Sequence, residues 1–195
     1  MPSSNTQTHK ASSQRTLLQN WALACLMTGA TAVCARFAVN IPPTPVPVTL
    51  QVFAVLLAGL LLGRRWSAVA QLQYLVVGAV GVPAFAGGGH GIGTLLGLTG
   101  GYLLSYPIAA AIVGWIAGRP GDARATLPRQ LLACAAGLAV IYGMGCIWYA
   151  ASVHASLLAV VLPGALIFLG WDCVKAAAAI AVAQGIAAGK TRVGR

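Results

Sequence analysis

Acidic side chains are almost missing from this chain. Asp122 and Asp172 are the only two, glutamate does not occur, and charged residues of both signs make up 7% of the 195 positions. A water-soluble domain carries close to a quarter of its residues as charges, so most of this surface expects a non-aqueous solvent. Enzyme signatures are missing too. There is no H-E-x-x-H, no G-x-S-x-G and no pair of intramembrane aspartates, which removes the usual metal, nucleophile and dyad sites. No G-x-x-x-x-G-K-[ST] stretch occurs, so ATP cannot power this chain without a partner. The five cysteines, Cys25, Cys34, Cys134, Cys146 and Cys173, form no C-x-x-C and all fall in apolar stretches. They read as small buried hydrophobes rather than disulfides or metal ligands.

What is present is apolar: 58% hydrophobic residues and 24 glycines. The runs are continuous rather than alternating, which points to an all-α integral membrane protein and not a transmembrane barrel. The net charge of +10 does not point to nucleic acid, because of where the charges lie. Polar residues 1–16 read as a disordered tail, residues 17–189 as one membrane domain and residues 190–195 as a basic tail. Within the domain, spans are expected over Leu17 to Val39, Val48 to Leu62, Ser67 to Phe85, Leu95 to Ala117 and Leu127 to Ala150. A last helix follows the Pro163-Gly164 interruption and ends near Ala188. The run from Pro42 to Pro47 cannot be helix interior, and Gly63 and Gly118 to Asp122 mark further breaks. Span one carries Gln19 and Asn20 behind a long polar leader, which reads as a retained helix rather than a cleaved signal.

Lysine and arginine test this six-span count. Lys10 and Arg15, then Arg64 and Arg65, then Arg119, Arg124 and Arg129, and finally Lys190, Arg192 and Arg195 all fall on one side if the spans alternate. The opposite loops contain neither residue. By the positive-inside rule both termini are expected in the cytoplasm, with the Pro-rich, Gly-rich and His154 loops outside.

Asp172 and Lys175 stand out against this background. An ionisable residue in hydrocarbon is costly and is a functional-site hypothesis by default. At a spacing of three they project from nearly one helix face, about 24 Å outward from Ala188 at 1.5 Å per residue. Lys175 suits an anionic group and Asp172 the donors of a polar ligand, unless the pair only neutralises itself. Thr49 and Gln51, at the start of span two, offer polar ends, or a helix cap in the case of Thr49. Gly87 and Gly88 would expose backbone to a ligand. Gly101 would allow close approach beside the ring and hydroxyl of Tyr102. His90 and His154 lack ligand-spaced partners, and Arg36 reads as snorkelling. Ala24, Thr28 and Ala32 form a small-xxx-small face, inward or toward another protein.

The stretches Pro45-Val46-Pro47-Val48-Thr49-Leu50-Gln51, Gly78 to Gly87, Thr99-Gly100-Gly101-Tyr102-Leu103 and Asp172-x-x-Lys175 resemble BioY-type proteins. These are biotin-specific substrate-binding components of energy-coupling factor transporters. The similarity covers Leu17 to Ala188, with Trp171 standing where the family usually has glycine. It implies a six-helix protein of the prokaryotic cell membrane that takes biotin from outside and needs no cofactor. It also implies partnership with a transmembrane coupling protein and cytoplasmic ATPases, with Ala24, Thr28 and Ala32 as a docking surface. Biotin's carboxylate would suit Lys175 and its ureido ring Asp172, or the reverse. The alternatives are a component for another vitamin, a lipid-directed membrane enzyme, and a solitary proton-coupled permease working through Asp172.

Overall fold

No glycine or proline occurs between Ser3 and Thr28, and in the computed structural model the first helix, α1 (Ser4–Arg36), runs unbroken through the polar segment. The structure describes residues 4–42, 44, 46–120, 122 and 125–193. Met1, Pro43, Pro45, Gly121, Arg124 and Arg195 lie outside the described residues, as do the side chains of Lys10, Arg15, Lys190 and Arg192. After α1 come two short strands, β1 (Ala38–Val39) and β2 (Val48–Thr49), paired antiparallel with Ala38 opposite Thr49. The helices that follow are α2 (Gln51–Ala79), α3 (Ile92–Leu96), α4 (Gly100–Ala117), α5 (Leu127–Ser152), α6 (Leu157–Val161) and α7 (Ile167–Val193).

Among the described residues, five helical stretches are long and apolar enough to cross a membrane: Thr16–Arg36, Gln51–Ala79, Gly100–Ala117, Leu127–Ser152 and Leu157–Gly189. The second is really two. Gly63 breaks α2 with φ 71° and ψ 180°, a conformation open in practice only to glycine. The Gln51 side-chain amide donates to the Tyr74 hydroxyl, although a straight helix would hold those residues about 34 Å apart. The chain therefore doubles back at Gly63, and the second and third spans are the arms of one helical hairpin. Counting the arms gives the six spans expected from the loops.

Three other boundaries differ from expectation, the first being the third span, which ends at Ala79 rather than Phe85. The fourth span begins at Gly100, because Gly97 to Thr99 separate it from α3. The last span begins at Leu157, ahead of Pro163-Gly164 rather than after it. Pro163-Gly164 does not interrupt it but lies in a π turn, Leu162–Leu166, which carries the chain from α6 into α7. Widening one turn relieves the clash of a proline ring with the preceding carbonyl.

Helix α2 is central, packing against α1, α4 and α7. Glycine sets these distances. A Cβ at Gly59 would meet Val113, and one at Gly114 would meet the Gly63 backbone. Ser67 in the second arm donates to the Ala110 carbonyl at 3.0 Å, so both arms rest on α4. Leucines on the outer faces, such as Leu18 at 69% and Leu158 at 86% exposure, suit a surface facing lipid. Cys134 and Cys146 are buried as expected, whereas Cys25 and Cys173 lie on the exposed surface of the bundle.

The fold-back predicts a specific cost. Gly63→Ala should lose about 1–3 kcal/mol, the penalty for a side chain in that backbone region. Gly29→Ala, in open space within α1, should melt no lower than the parent. The check is the thermal midpoint in detergent, and equal midpoints for the two variants would contradict the assigned turn.

Candidate functional site

At the end of the bundle that carries the strand pair, the helices enclose a cavity of about 280 Å³. Its roof is Val46 to Thr49, the β2 strand with the two residues leading into it, beside Asn40. One wall comes from α4, where Tyr102 and Tyr106 are spaced i, i+4 and face the same way. The other comes from α7, where Phe168, Asp172 and Lys175 recur at i, i+4 and i+7. Phe85 closes a side, its ring lying where any side chain at Gly78 would have to be. Gly91 N–H donates to the Gly78 carbonyl at 2.8 Å, which folds the Gly-rich loop back onto the hairpin.

Asp172 and Lys175 are 3% and 8% exposed, so neither snorkels to the surface. Lys175 Nζ donates to Asp172 Oδ1 at 2.6 Å. Tyr142, on α5, donates its hydroxyl to Asp172 Oδ2 at 2.5 Å. Both carboxylate oxygens are therefore engaged, which is what a buried charge requires. The pair remains chemically unsaturated. An ammonium has three donors and a carboxylate about four acceptor sites, so each group can still meet a ligand.

A second polar group lies at the roof. Thr49 Oγ1 donates to Gln51 Oε1 at 2.9 Å. Gln51 in turn donates to the Tyr74 hydroxyl, which donates to the Ala84 carbonyl at 3.1 Å. This relay orients the Gln51 amide and ties the roof to both arms of α2. Tyr106 differs: it is 4% exposed, faces the cavity and stacks on Tyr74 at 6.4 Å between centroids. Its hydroxyl has no hydrogen-bond partner among the described residues.

The structure thus brings Thr49, Gln51, Tyr102, Asp172 and Lys175 to one cavity. Tyr102 contributes its ring only, because its hydroxyl donates to the Gly164 carbonyl at 2.7 Å. Gly101 does not reach the cavity; it lets α4 approach α5, since a Cβ there would strike Trp148. Gly87 and Gly88 stand outside the wall, which their neighbour Ala86 forms instead, and Gly88 lies against the Arg36 guanidinium. The docking assignment for span one is corrected as well. Ala24 is fully buried against α2, Thr28 donates to the Ala70 carbonyl at 2.8 Å, and Ala32 packs on the main core. That small-residue face is an internal seam, and it lets α1 approach α2 closely.

Sequence reasoning missed Phe85, Tyr106 and Tyr142. The i, i+4 spacing from Tyr102 could have found Tyr106. No local signal exists for Tyr142, whose contact with Asp172 arises from the packing of α5 on α7.

The profile of the BioY family matches residues 5–192. The chain belongs to the BioY family. A probable biotin transporter BioY of Pyrococcus horikoshii is 40% identical over 162 residues, 83% of this chain and 92% of the relative. The biotin transporter BioY of Thermotoga maritima is 34% identical over 145 residues, 74% and 83% of the two chains. The crystal structure of the S-component for biotin from an ECF-type ABC transporter shares the fold, with a TM-score of 0.81 and 21% identity. That match covers 88% of this chain and 92% of the other. Membership of this family, with several apolar helices, makes the chain a multi-pass membrane protein.

The ion pair yields a stability prediction independent of any ligand. Lys175→Met leaves a buried carboxylate uncompensated and should lose about 3–5 kcal/mol, whereas the double change Asp172→Asn with Lys175→Met should lose much less. Thermal unfolding of the three proteins in detergent checks this. A double variant no more stable than the single one would mean the pair is not coupled.

Proposed function

We propose that this BioY family member is the biotin-binding membrane subunit of an energy-coupling factor transporter, a carrier rather than an enzyme. One observation carries the reading at the level of the site. A small, largely apolar cavity contains one ammonium, one carboxylate and a tyrosine hydroxyl without a hydrogen-bond partner among the described residues, beneath a short roof. Biotin presents matching groups: an apolar bicycle and chain, a carboxylate, and a ureido ring with two N–H donors and a carbonyl. Lys175 would receive the carboxylate through its free N–H groups, while Asp172 would accept from the ureido ring. Gln51 and Thr49 would hold the ligand's other polar atoms, and Tyr106 would donate to whichever acceptor lies over it.

Energy must come from outside the chain, since its sequence has no nucleotide-binding motif. The proposal therefore includes a transmembrane coupling protein and cytoplasmic ATPases. With the internal seam of α1 occupied, Leu26 and Val33 are among the side chains on its open face, at 65% and 60% exposure. The placing of Arg64, Arg65 and Arg119 at one end of the bundle supports cytoplasmic termini and entry of biotin from the opposite side.

Radiolabelled biotin should bind the purified chain saturably. Asp172→Asn and Lys175→Ala should each weaken binding at least about tenfold, or about 1.4 kcal/mol. Tyr106→Phe should weaken it about fivefold, the worth of one hydrogen bond. The absence of saturable binding by the parent protein would sink the reading, and unchanged affinity in all three variants would move the site elsewhere. Orientation has its own check. Green fluorescent protein fused after Arg195 should fluoresce, and alkaline phosphatase at the same point should be inactive; the opposite result reverses the topology.

A further inference from the structure

A second concavity lies on the membrane-facing side, away from the cavity above. It is a groove of about 580 Å³ between the second arm of α2 and α4. On α2 its wall is Arg64, Ala68 and Leu72, spaced four residues apart and so spanning about 12 Å along the helix. On α4 the facing wall runs from Trp115 back through Ala111 to Ile108. The helices are antiparallel here, because Gly114 packs on the Gly63–Arg64 backbone and Ser67 donates to the Ala110 carbonyl at 3.0 Å. Arg64 and Trp115 therefore share one end of the groove, and Leu72 and Ile108 the other. The alanines make the floor. Leu72, Ile108 and Trp115 are 52%, 47% and 66% exposed, forming apolar rims with none of the described residues between them.

Charge distinguishes this groove from ordinary lipid-facing surface. The Arg64 side chain is exposed at its end and has no hydrogen-bond or ion-pair partner among the described residues. Arg65 is its neighbour, lying 5.9 Å from the centre of the Trp66 ring. Arg119 reaches the same turn, donating from Nε to the Leu62 carbonyl at 2.9 Å. The carboxylate closest in sequence is Asp122, which accepts from the Arg119 backbone N–H at 2.8 Å. One unpaired guanidinium in the groove wall, with two more on the same turn of chain and an apolar trough leading away from it, calls for an anion attached to a long apolar chain. Arginine is suited to phosphate oxygens through its planar fork of donors.

We propose that this groove is a binding site for an anionic phospholipid. One acyl chain lies over Ala68 and Ala111, and the phosphate is held by Arg64 with Arg65 at the basic end. The bound lipid is part of the wall that α2 and α4 present to the membrane, and it fills a groove that side chains of the protein leave open.

The full chain, delipidated in dodecyl maltoside, would be titrated with phosphatidylglycerol or phosphatidylcholine of identical acyl chains, and bound lipid counted by native mass spectrometry. Phosphatidylglycerol should be retained in preference by about fivefold for each arginine engaged. Arg64→Gln with Arg65→Gln should abolish that preference, and Ala111→Leu, which raises the floor, should lower retention of both lipids. Glycerol phosphate, the headgroup without chains, should fail to displace the lipid. Equal retention of the two lipids by the parent chain overturns the proposal, as does undiminished retention by Ala111→Leu. Full displacement by glycerol phosphate would make the site a simple anion site, and cross-linking of two chains through the groove would make it a protein interface; either also overturns the proposal. Monodisperse elution and an unchanged thermal midpoint are required of each variant, with Ala68→Leu replacing Ala111→Leu if it fails.

Discussion

A carboxylate and an ammonium withdrawn from water each lose several kcal/mol of hydration, and their attraction offsets this only when geometry and further hydrogen bonds are good. The arrangement around Asp172 meets those conditions. Lys175 takes one oxygen, Tyr142 takes the other, and all three groups line a cavity rather than face hydrocarbon. Because Tyr142 comes from α5, the same contacts tie α5 to α7. The cavity is thereby kept electrically neutral yet rich in donors and acceptors.

Around that pair, close helix approach is obtained by removing side chains rather than by adding attraction. In lipid, apolar contact gives no advantage of protein over solvent, so packing and backbone approach carry the association. Gly59 and Gly114 bring α4 onto the hairpin, Gly101 brings α4 onto α5, and Gly145 and Gly164 make room for the Tyr102 ring and hydroxyl. The aromatic walls of the cavity are seated on glycines of neighbouring helices. Substituting those glycines would disturb the site without touching its surface.

Much of this was legible from the chain itself. Apolar run lengths and the one-sided placement of arginine and lysine carry the span count, because both follow from the cost of burying charge. Asp172 and Lys175 announce themselves for the same reason. Glycine was harder to read. Gly101 serves a helix contact and Gly88 lies outside the wall, although each can equally mark a ligand's approach. The face of Ala24, Thr28 and Ala32 carries a like ambiguity, since a small-residue stripe suits an internal neighbour as well as a foreign one. Pro163 looked like a break because local rules do not reveal when a π turn will absorb it. Tyr142 could not be placed at all, its role being set by how two distant helices pack.

The single-residue reversal at Gly63 has a mechanical consequence. Most helix–helix connections have several residues that can absorb a change of angle, but here the arms meet at one set of torsions, with Arg119 clasped to the Leu62 carbonyl. The joint has no slack. Gln51 and Tyr74, near the far tips of the arms, are bonded to each other, so the second and third spans form a closed frame, fastened at both ends. In such a frame a tilt of one arm would carry the other arm, and the β2 strand at its tip, along with it.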